Sequence, residues 1–273
     1  MIHGVPTMFI AELGHPDFEK FDLSSLRTGI MAGSPCPVEV MRQVIDRMGV
    51  KEILIAYGQT EAAPLITLTN IDDTIEQRVN TVGPAVPNVE IKIVDPETGE
   101  DLPRGQQGEL WSRSFMNMKG YYNLPEATAT TIDAEGWLHT GDLATMDDDG
   151  YCKITGRLKD MIIRGGENVY PREIEEFLYT HPKVADVQVI GVPDSRVGEE
   201  VMAWILLKAD QSATEDEVRD FCRGQIAHFK IPRYVKFVSE FPMTVTGKIQ
   251  KFRMQEMAIE ELGLKEASQV ETA

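Results

Sequence analysis

Cysteine, histidine and long apolar runs are all scarce in this sequence of 273 residues. The three cysteines, Cys36, Cys152 and Cys222, lack the spacing of a metal site or a disulfide framework, which indicates thiols in a reducing compartment. The five histidines form no HExxH-type pair, so we expect no structural metal site. No apolar run approaches the length of a membrane span, and the first residues lack the basic and apolar segments of a signal peptide. We therefore expect a cytoplasmic protein with no integral membrane segment.

Positive charge is also scarce, because 27 basic residues stand against 44 acidic ones and the formal net charge is -17. A field of that sign repels nucleic acids and anionic membrane surfaces, so we expect neither as a partner. It also repels ATP or coenzyme A. Any such ligand must therefore be held by local basic groups and backbone N–H donors. Most of the acidic residues are explained by solubility alone.

The first part of the chain has the pattern of an α/β sheet. Apolar runs at 27–32 and 52–57 predict strands, and helical spacing of apolar residues over 38–48 predicts a helix between them. Residues 7–13 form a further short helical candidate. Ligands of such sheets bind at the carboxyl ends of the strands. From about residue 81 to 113 the pattern changes to short strands, which indicates a small barrel or a distorted sheet.

A second compact unit is predicted to begin near residue 155. Its expected helices start at Pro171, at Thr214 and after Lys251, and the second is expected to run to Ala227 with Thr214 and Glu217 as a capping box. Its expected strands are 161–163, 184–192, 201–207 and 234–238. The unit is therefore of the α+β type.

Residues 57–61 form the first of four motifs whose side chains could bind a ligand or act in catalysis. They directly follow a predicted buried strand. The ring of Tyr57 can lie against a purine, Gly58 lets backbone approach a phosphate, and the hydroxyl of Thr60 can donate to a phosphate oxygen. The carboxylate of Glu61 can hold Mg²⁺, which prefers oxygen ligands. A strand-end turn with a solvated glutamate is the alternative reading of this segment.

The other three motifs are residues 136–142, 156–168 and 242–249. The first ends in Asp142, which follows a glycine in a turn and can either accept from two ribose hydroxyls or cap its own backbone. The charged residues of the second indicate a solvent-exposed hinge, and its Gly165–Gly166 pair could let backbone pass close to a ligand or form a tight hairpin. The third contains Lys248, which can reach far as a point charge but is also typical of an ordinary surface lysine.

The four motifs, in this order and at these intervals, resemble the adenylate-forming superfamily of acyl-CoA synthetases, peptide-synthetase adenylation domains and luciferases. The runs 4–9, 26–33 and 119–122 are most similar to medium- to long-chain fatty acyl-CoA synthetases. The resemblance covers essentially the whole chain and implies a mixed α/β (α+β) fold. Residues 1–156 would be the C-terminal part of a large AMP-binding domain, with an α/β layer and a small β-barrel. Residues 157–160 would be a hinge, and 161–273 a small mobile C-terminal domain.

The resemblance also implies roles for individual residues. Lys248 and Thr60 would act in catalysis, with Glu61 holding Mg²⁺, and Lys159 would occupy the hinge position. The nucleotide-binding residues would be Gly33, Ser34, Pro35, Tyr57, Gly58, Gln59, Asp142 and Arg157. The segment that borders coenzyme A would comprise Arg164, Gly165, Gly166 and Glu167. The implied reaction converts a carboxylic acid and ATP to an acyl-adenylate, and then to acyl-CoA, AMP and pyrophosphate.

One feature of the family is missing from this sequence. Relatives carry a Ser/Thr/Gly-rich loop ending in lysine, which cradles the β- and γ-phosphates, and no such segment is found here. We therefore expect these residues to be part of a longer chain and to be inactive in adenylation by themselves. Open sheet edges in such a fragment would favour self-association.

Two other functions stay open at this stage. The first lies within the superfamily: an aryl-CoA ligase or an amino-acid-adenylating domain, although no carrier-protein domain follows Lys248. The second is a non-catalytic nucleotide-binding module. Charged groups suited to an α-phosphate, such as Glu61 and Lys248, argue against the second.

Overall fold

The computed structural model describes residues 1–34, 36–244 and 248–264. The chain divides into two compact units, Met1–Thr155 and Gly156–Ala273. The predicted hinge at 157–160 contains a short 3₁₀ turn, Leu158–Asp160, and its role as a hinge stays a prediction. None of the helices in the described part of the chain has both the length and the apolar character that a membrane span requires.

The first unit opens with a four-stranded sheet whose order follows the chain. Its strands are β1 (Ile2–Gly4), β2 (Thr28–Ala32), β3 (Glu52–Tyr57) and β4 (Thr67–Leu68). Its helices are α1 (Pro6–Leu13), α2 (Val38–Met48) and α3 (Ile75–Asn80). Strands β1, β2 and β3 run parallel, and β4 is antiparallel to β3. The carboxyl ends of β2 and β3 therefore lie side by side.

Helix α2 is amphipathic and explains the packing of this sheet. Met41, Val44 and Met48 recur at helical spacing and are buried. They pack with Phe9 of α1 and Ile53 of β3 in one apolar cluster. This cluster supports the strands from one side, so their loop ends are held by a rigid layer.

The second sheet of this unit consists of β5 (Val89–Val94), β6 (Gly108–Ser114), β7 (Leu138–Met146) and β8 (Cys152–Arg157). A short helix, α4 (Pro125–Thr131), precedes β7. The strands are hydrogen-bonded in the order β5-β6-β7-β8, and no pairing returns from β8 to β5 among the described strands. The expected small β-barrel is therefore an open, distorted sheet.

The second unit is a five-stranded sheet with helices on both faces. Its strands are β9 (Ile162–Arg164), β10 (Glu167–Val169), β11 (Val184–Asp194), β12 (Gly198–Leu207) and β13 (Tyr234–Val238). Its helices are α5 (Pro171–Leu178), α6 (Glu215–Cys222) and α7 (Lys251–Glu261). Alternate residues of β12 point to opposite faces. Val201 and Ala203 pack in the cluster that contains residues of α5 and α6, whereas Met202 and Trp204 pack in the cluster that contains residues of α7.

Helix α6 is shorter than predicted, because it ends at Cys222 rather than Ala227. The side chain of Thr214 accepts from the backbone N–H of Glu217, which is half of the expected capping box. Val218 and Cys222 are the buried residues of this helix. The chain turns after Cys222, and this turn brings Phe229 against the same apolar cluster.

A buried ion pair ties the start of β12 to its neighbours. The carboxylate of Glu200, whose side chain is 2% exposed, accepts from two nitrogens of Arg164 at 2.6 and 3.1 Å. Arg233 donates to the same carboxylate at 3.2 Å. Two guanidinium groups thus neutralise one buried carboxylate, and removing that carboxylate would leave Arg164 without its partner.

We expect Glu200→Gln to lower the free energy of local unfolding around β12 by about 2–4 kcal/mol, since it breaks a buried pair. Hydrogen exchange of the β12 amides measures this loss. Glu256→Gln is the matched control. It breaks the ion pair between Arg253 and Glu256, whose side chains are 57% and 60% exposed respectively. This substitution should change stability by less than about 0.5 kcal/mol. Equal effects of the two substitutions would contradict this assignment.

Candidate active site

The turn at residues 57–61 lies at the carboxyl end of β3, next to the end of β2. Ala32 and Ala56 are paired in the sheet, so Gly33 and Gly58 leave adjacent strands at the same edge. A side chain at Gly58 would place its Cβ 1.8 Å from the carbonyl oxygen of Pro64, so only glycine fits there. Gly33, Ser34 and Thr60 are exposed at this edge, and Gln59 is half-buried. Pro35 lies outside the described residues.

Asp142 reaches this turn from the second sheet. The hydroxyl of Tyr57 donates to Oδ2 of Asp142 at 2.7 Å. Asp142 is 7% exposed, so it is largely shielded from solvent. Tyr57 and Asp142, which are 85 positions apart, are thus brought together as the resemblance implied for a shared nucleotide site.

Glu61 is held by a loop that follows β6. The hydroxyl of Tyr121 donates to Oε1 of Glu61 at 2.8 Å, and the backbone N–H of Met118 donates to the carbonyl of Glu61 at 2.7 Å. The hydrogen bond to this carboxylate is the largest cause of a raised pKa at Tyr121, with burial second. The phenol therefore stays protonated and acts as a donor to Glu61 around neutral pH.

The donor set around Glu61 fits Mg²⁺. Tyr121 bonds to one carboxylate oxygen, and a monodentate Mg²⁺ ligand needs only the other. Within the described residues, no group of three or more His, Cys, Asp or Glu side chains could hold a metal ion. Mg²⁺ commonly binds through one or two carboxylates together with substrate phosphates, and a single glutamate is compatible with that mode.

The thiol nearest in sequence to this edge is not activated. Burial raises the pKa of Cys36 to about 12, and burial also raises the pKa of Cys152 to about 12. A thiol becomes a nucleophile only as the thiolate. Neither side chain is therefore suited to covalent catalysis.

The second unit carries the remaining predicted residues. Gly165 and Gly166 form the two-residue turn between β9 and β10, with φ values of +63° and +86° that favour glycine. Of the two readings of this glycine pair, the tight hairpin describes its geometry. Glu167 is exposed beside the turn. Arg157 ends β8, and both Arg157 and Lys159 have exposed side chains.

The side chain of Arg164, in the segment expected to border coenzyme A, is bonded within the second unit. Its guanidinium bonds to Glu200 through two nitrogens and donates through a third to the carbonyl of Phe229 at 2.9 Å. These donors are used inside the unit, because they neutralise a buried carboxylate. Any contact of this segment with coenzyme A would therefore involve its backbone or the exposed Glu167.

Lys248 lies beside an isolated β-bridge of the second unit. Met243 and Ile249 are bridged as in a hairpin, and the backbone of Lys248 exchanges hydrogen bonds with Thr244 at 2.8 and 3.1 Å. The side chain of Lys248 is exposed. This arrangement fixes the backbone of the lysine and leaves its ammonium group accessible to a ligand.

Comparison with known proteins gives the family of the chain. A model described as "AMP-binding enzyme" matches residues 1–122, and one described as "AMP-binding enzyme C-terminal domain" matches residues 173–248. The chain belongs to the AMP-binding enzyme family. The first match contains the Tyr57–Glu61 turn, and the second ends at Lys248.

Two relatives of this AMP-binding enzyme align with almost all of its sequence. YngI of Bacillus subtilis (strain 168) is 62% identical over 97% of this chain and 48% of its own length. The mitochondrial medium-chain acyl-CoA ligase ACSF2 of Danio rerio is 52% identical over 96% of this chain and 43% of its own length. The chain thus spans about half the length of these relatives.

A solved structure has the same fold. ATP-bound MatB from Rhodopseudomonas palustris superposes with a TM-score of 0.84 at 35% identity, over 94% of this chain and 50% of its own. The mixed α/β architecture is therefore that of adenylate-forming enzymes, and the fold class expected from the sequence is confirmed.

Two groups in the site of this AMP-binding enzyme chain were missed by sequence reasoning. Tyr121 belongs to a run that served only to indicate the family, and nothing local shows that its hydroxyl reaches back to Glu61. Glu109, which is 7% exposed, lies in β6 opposite Asp142's strand. A charged residue inside an apolar strand is the one signal that could have marked it.

We expect Tyr121→Phe in the full-length protein to weaken metal binding about 10-fold, since one hydrogen bond to a carboxylate is worth about 1.5 kcal/mol. Titration of Mn²⁺ in the presence of ATP, followed by electron paramagnetic resonance, measures this affinity directly. Tyr122→Phe is the control, because Tyr122 is its neighbour in sequence and 91% exposed. Unchanged affinity in Tyr121→Phe would show that this tyrosine does not hold a metal ligand.

Proposed function

We propose that the full-length protein is an acid–thiol ligase that activates a medium- to long-chain fatty acid with ATP and transfers it to coenzyme A. The observation that carries this proposal is the convergence of Tyr57, Asp142 and Glu61 within the first unit. An aromatic ring, a buried carboxylate and a tyrosine-held carboxylate are suited to a purine, a ribose and a magnesium ion respectively.

The adenine would bind along the edge where β2 and β3 end. Gly33 and Ser34 would lie on one side of the base, with the ring of Tyr57 on the other. Asp142 would accept from the ribose hydroxyls, and Arg157 would add a donor from the end of β8. Gln59 and Thr60 would contact the adenine edge and the phosphates, since both follow β3 in the same turn.

Adenylation would join the acid carboxylate to the α-phosphorus and release pyrophosphate. Such displacements depend on positioning and on neutralising charge more than on covalent help from the protein. Bound Mg²⁺ would supply a Lewis acid to the phosphates at Glu61. The ammonium of the exposed Lys248 would neutralise the carboxylate and the α-phosphate as they approach.

Thioester formation would follow at the same adenylate. The thiol of coenzyme A would attack the acyl carbon, and AMP would leave. This step has no use for an ammonium at the α-phosphate, so the second unit would turn about Lys159 and replace Lys248 with the hairpin at Gly165–Gly166. Glu167 and the hairpin backbone would then border the pantetheine arm.

The fatty acid is supported as the substrate class by the relatives. Mitochondrial ACSF2 is a medium-chain acyl-CoA ligase by name, and it is 52% identical to this chain. An aryl or amino acid stays the alternative within the family, and a panel of acids given to the full-length protein distinguishes them. The cytoplasmic location and the self-association expected from the sequence stay predictions. Small-molecule acid, ATP and coenzyme A are the proposed partners.

We expect Lys248→Ala in the full-length protein to lower the rate of adenylation by at least about 100-fold, the loss typical of removing a charge that stabilises a transition state. Thioester formation from supplied acyl-adenylate should change less than about threefold, because that step does not use the lysine. Stopped-flow or quench assays of each half-reaction measure the two rates. Lys51→Ala, which removes another exposed lysine, is the control. Equal losses in both half-reactions would contradict the alternating role.

We expect the 273-residue chain alone to catalyse no acid-dependent exchange of pyrophosphate into ATP. The phosphate-binding loop of the family is absent from it, so nothing orders the leaving group. Radiolabelled pyrophosphate exchange, with the full-length protein as the positive control, tests this. Exchange by the purified chain at a rate near that of the full-length protein would overturn the proposal that the missing loop is required.

A further inference from the structure

We propose that Glu109 is a positioning residue that aims the carboxylate of Asp142 and thereby sets selectivity for the ribose hydroxyls. The inference rests on the proposed function of Asp142 as the ribose ligand. It concerns a buried carboxylate that the adenylation and thioester steps do not use.

The pairing of β6 with β7 is interrupted where Asp142 lies. Glu109 is paired with Leu143 and Trp111 is paired with His139, so Leu110 alone faces residues 140–142. Three residues opposite one make a bulge, and bulges redirect side chains beside functional sites. Asp142 leaves the regular ladder at this bulge, and its carboxylate accepts the hydroxyl of Tyr57 at 2.7 Å.

The side chain of Glu109 bridges the two strands at this bulge. Its Oε1 accepts the backbone N–H of Gly141 at 2.8 Å, and its Oε2 accepts the indole N–H of Trp111 at 2.7 Å. The backbone N–H of Gly141, which is partly buried, has no partner in the β6–β7 ladder, and Glu109 supplies one. Each carboxylate oxygen of Glu109 therefore accepts one hydrogen bond, and the two bonds together fix the orientation of the carboxylate.

The rest of the bulge is tied by Thr140. Its hydroxyl donates to the carbonyl of Leu110 at 2.6 Å and accepts the N–H of Asp142 at 3.1 Å. The ring of His139 stacks on Trp111 with centroids 3.7 Å apart. Glu109 thus connects a stacked aromatic pair to the residue that precedes Asp142. A change at Glu109 alters where that carboxylate points without touching a ligand.

Glutamine at position 109 keeps the size of the side chain but turns one acceptor into a donor. Both oxygens of Glu109 accept an N–H group, one from Gly141 and one from Trp111. The NH₂ of a glutamine would have to face one of these N–H groups, and two donors cannot form a hydrogen bond with each other. The backbone at Gly141 then shifts, and Asp142 with it. The kcat/KM for ATP, which has both ribose hydroxyls, should therefore fall more from this shift than the kcat/KM for a nucleotide that lacks one of them.

The experiment compares ATP with 2′-deoxy-ATP and 3′-deoxy-ATP in acid-dependent pyrophosphate exchange by the full-length protein. In the unmodified enzyme, loss of one hydroxyl bonded to a carboxylate should lower kcat/KM about 10- to 100-fold. In Glu109→Gln this preference should fall below about threefold, while the KM for coenzyme A, measured separately in the overall ligase reaction, stays unchanged. Glu90→Gln, which removes an exposed carboxylate of the same sheet, should keep the preference.

A merely structural role for Glu109 would lower the rates with all three nucleotides equally and leave their ratio unchanged, which would overturn the inference while leaving the proposed function intact. If the unmodified enzyme instead used ATP and the two deoxy-ATPs equally well, Asp142 would not contact the ribose hydroxyls. Both that part of the proposed function and this inference would then be contradicted. If Glu109→Gln does not fold, Trp111→Phe decides. It removes the indole donor to Glu109 and keeps an aromatic ring beside His139, and it should also reduce the preference. An unchanged preference in Trp111→Phe would count against the inference.

Discussion

A hydrogen bond between two sheets, from the hydroxyl of Tyr57 to the carboxylate of Asp142, is the contact around which the first unit forms a site. Tyr57 ends a parallel strand, and Asp142 lies in a bulge of an antiparallel sheet. Without this contact, the two sheets would present an aromatic ring and a carboxylate separately. With it, they form a surface that can take a base and a sugar together.

The proposed function requires an acidic chain to bind an anionic nucleotide, and groups near this contact are suited to that task. The formal charge of -17 opposes ATP at long range, so binding must depend on groups at close range. Glu61 would do this through Mg²⁺, and Lys248 through its ammonium. The negative carboxylates Glu109 and Asp142 lie where they accept from N–H and O–H donors, and the acidic site residues therefore serve geometry as much as charge.

The elements with a clear apolar period were predictable from sequence. Val38–Met48 and Glu52–Tyr57 have the bounds that their patterns indicated. The end of α6 was predicted wrongly, because the chain turns after Cys222 to bury Phe229, and that demand comes from the tertiary core. The family motifs located Tyr57, Glu61 and Asp142. They could not show that Arg164 is used by Glu200, or that Tyr121 and Glu109 support the site, since these contacts join residues 32 to 60 positions apart.

The most direct test of this account is a crystal structure of the chain, or of its full-length protein, with AMP bound. The account predicts the adenine ring stacked on Tyr57, with both ribose hydroxyls within hydrogen-bond distance of the carboxylate of Asp142. AMP bound at another edge of the sheet, or a ribose turned away from Asp142 with the Tyr57 hydrogen bond intact, would contradict it.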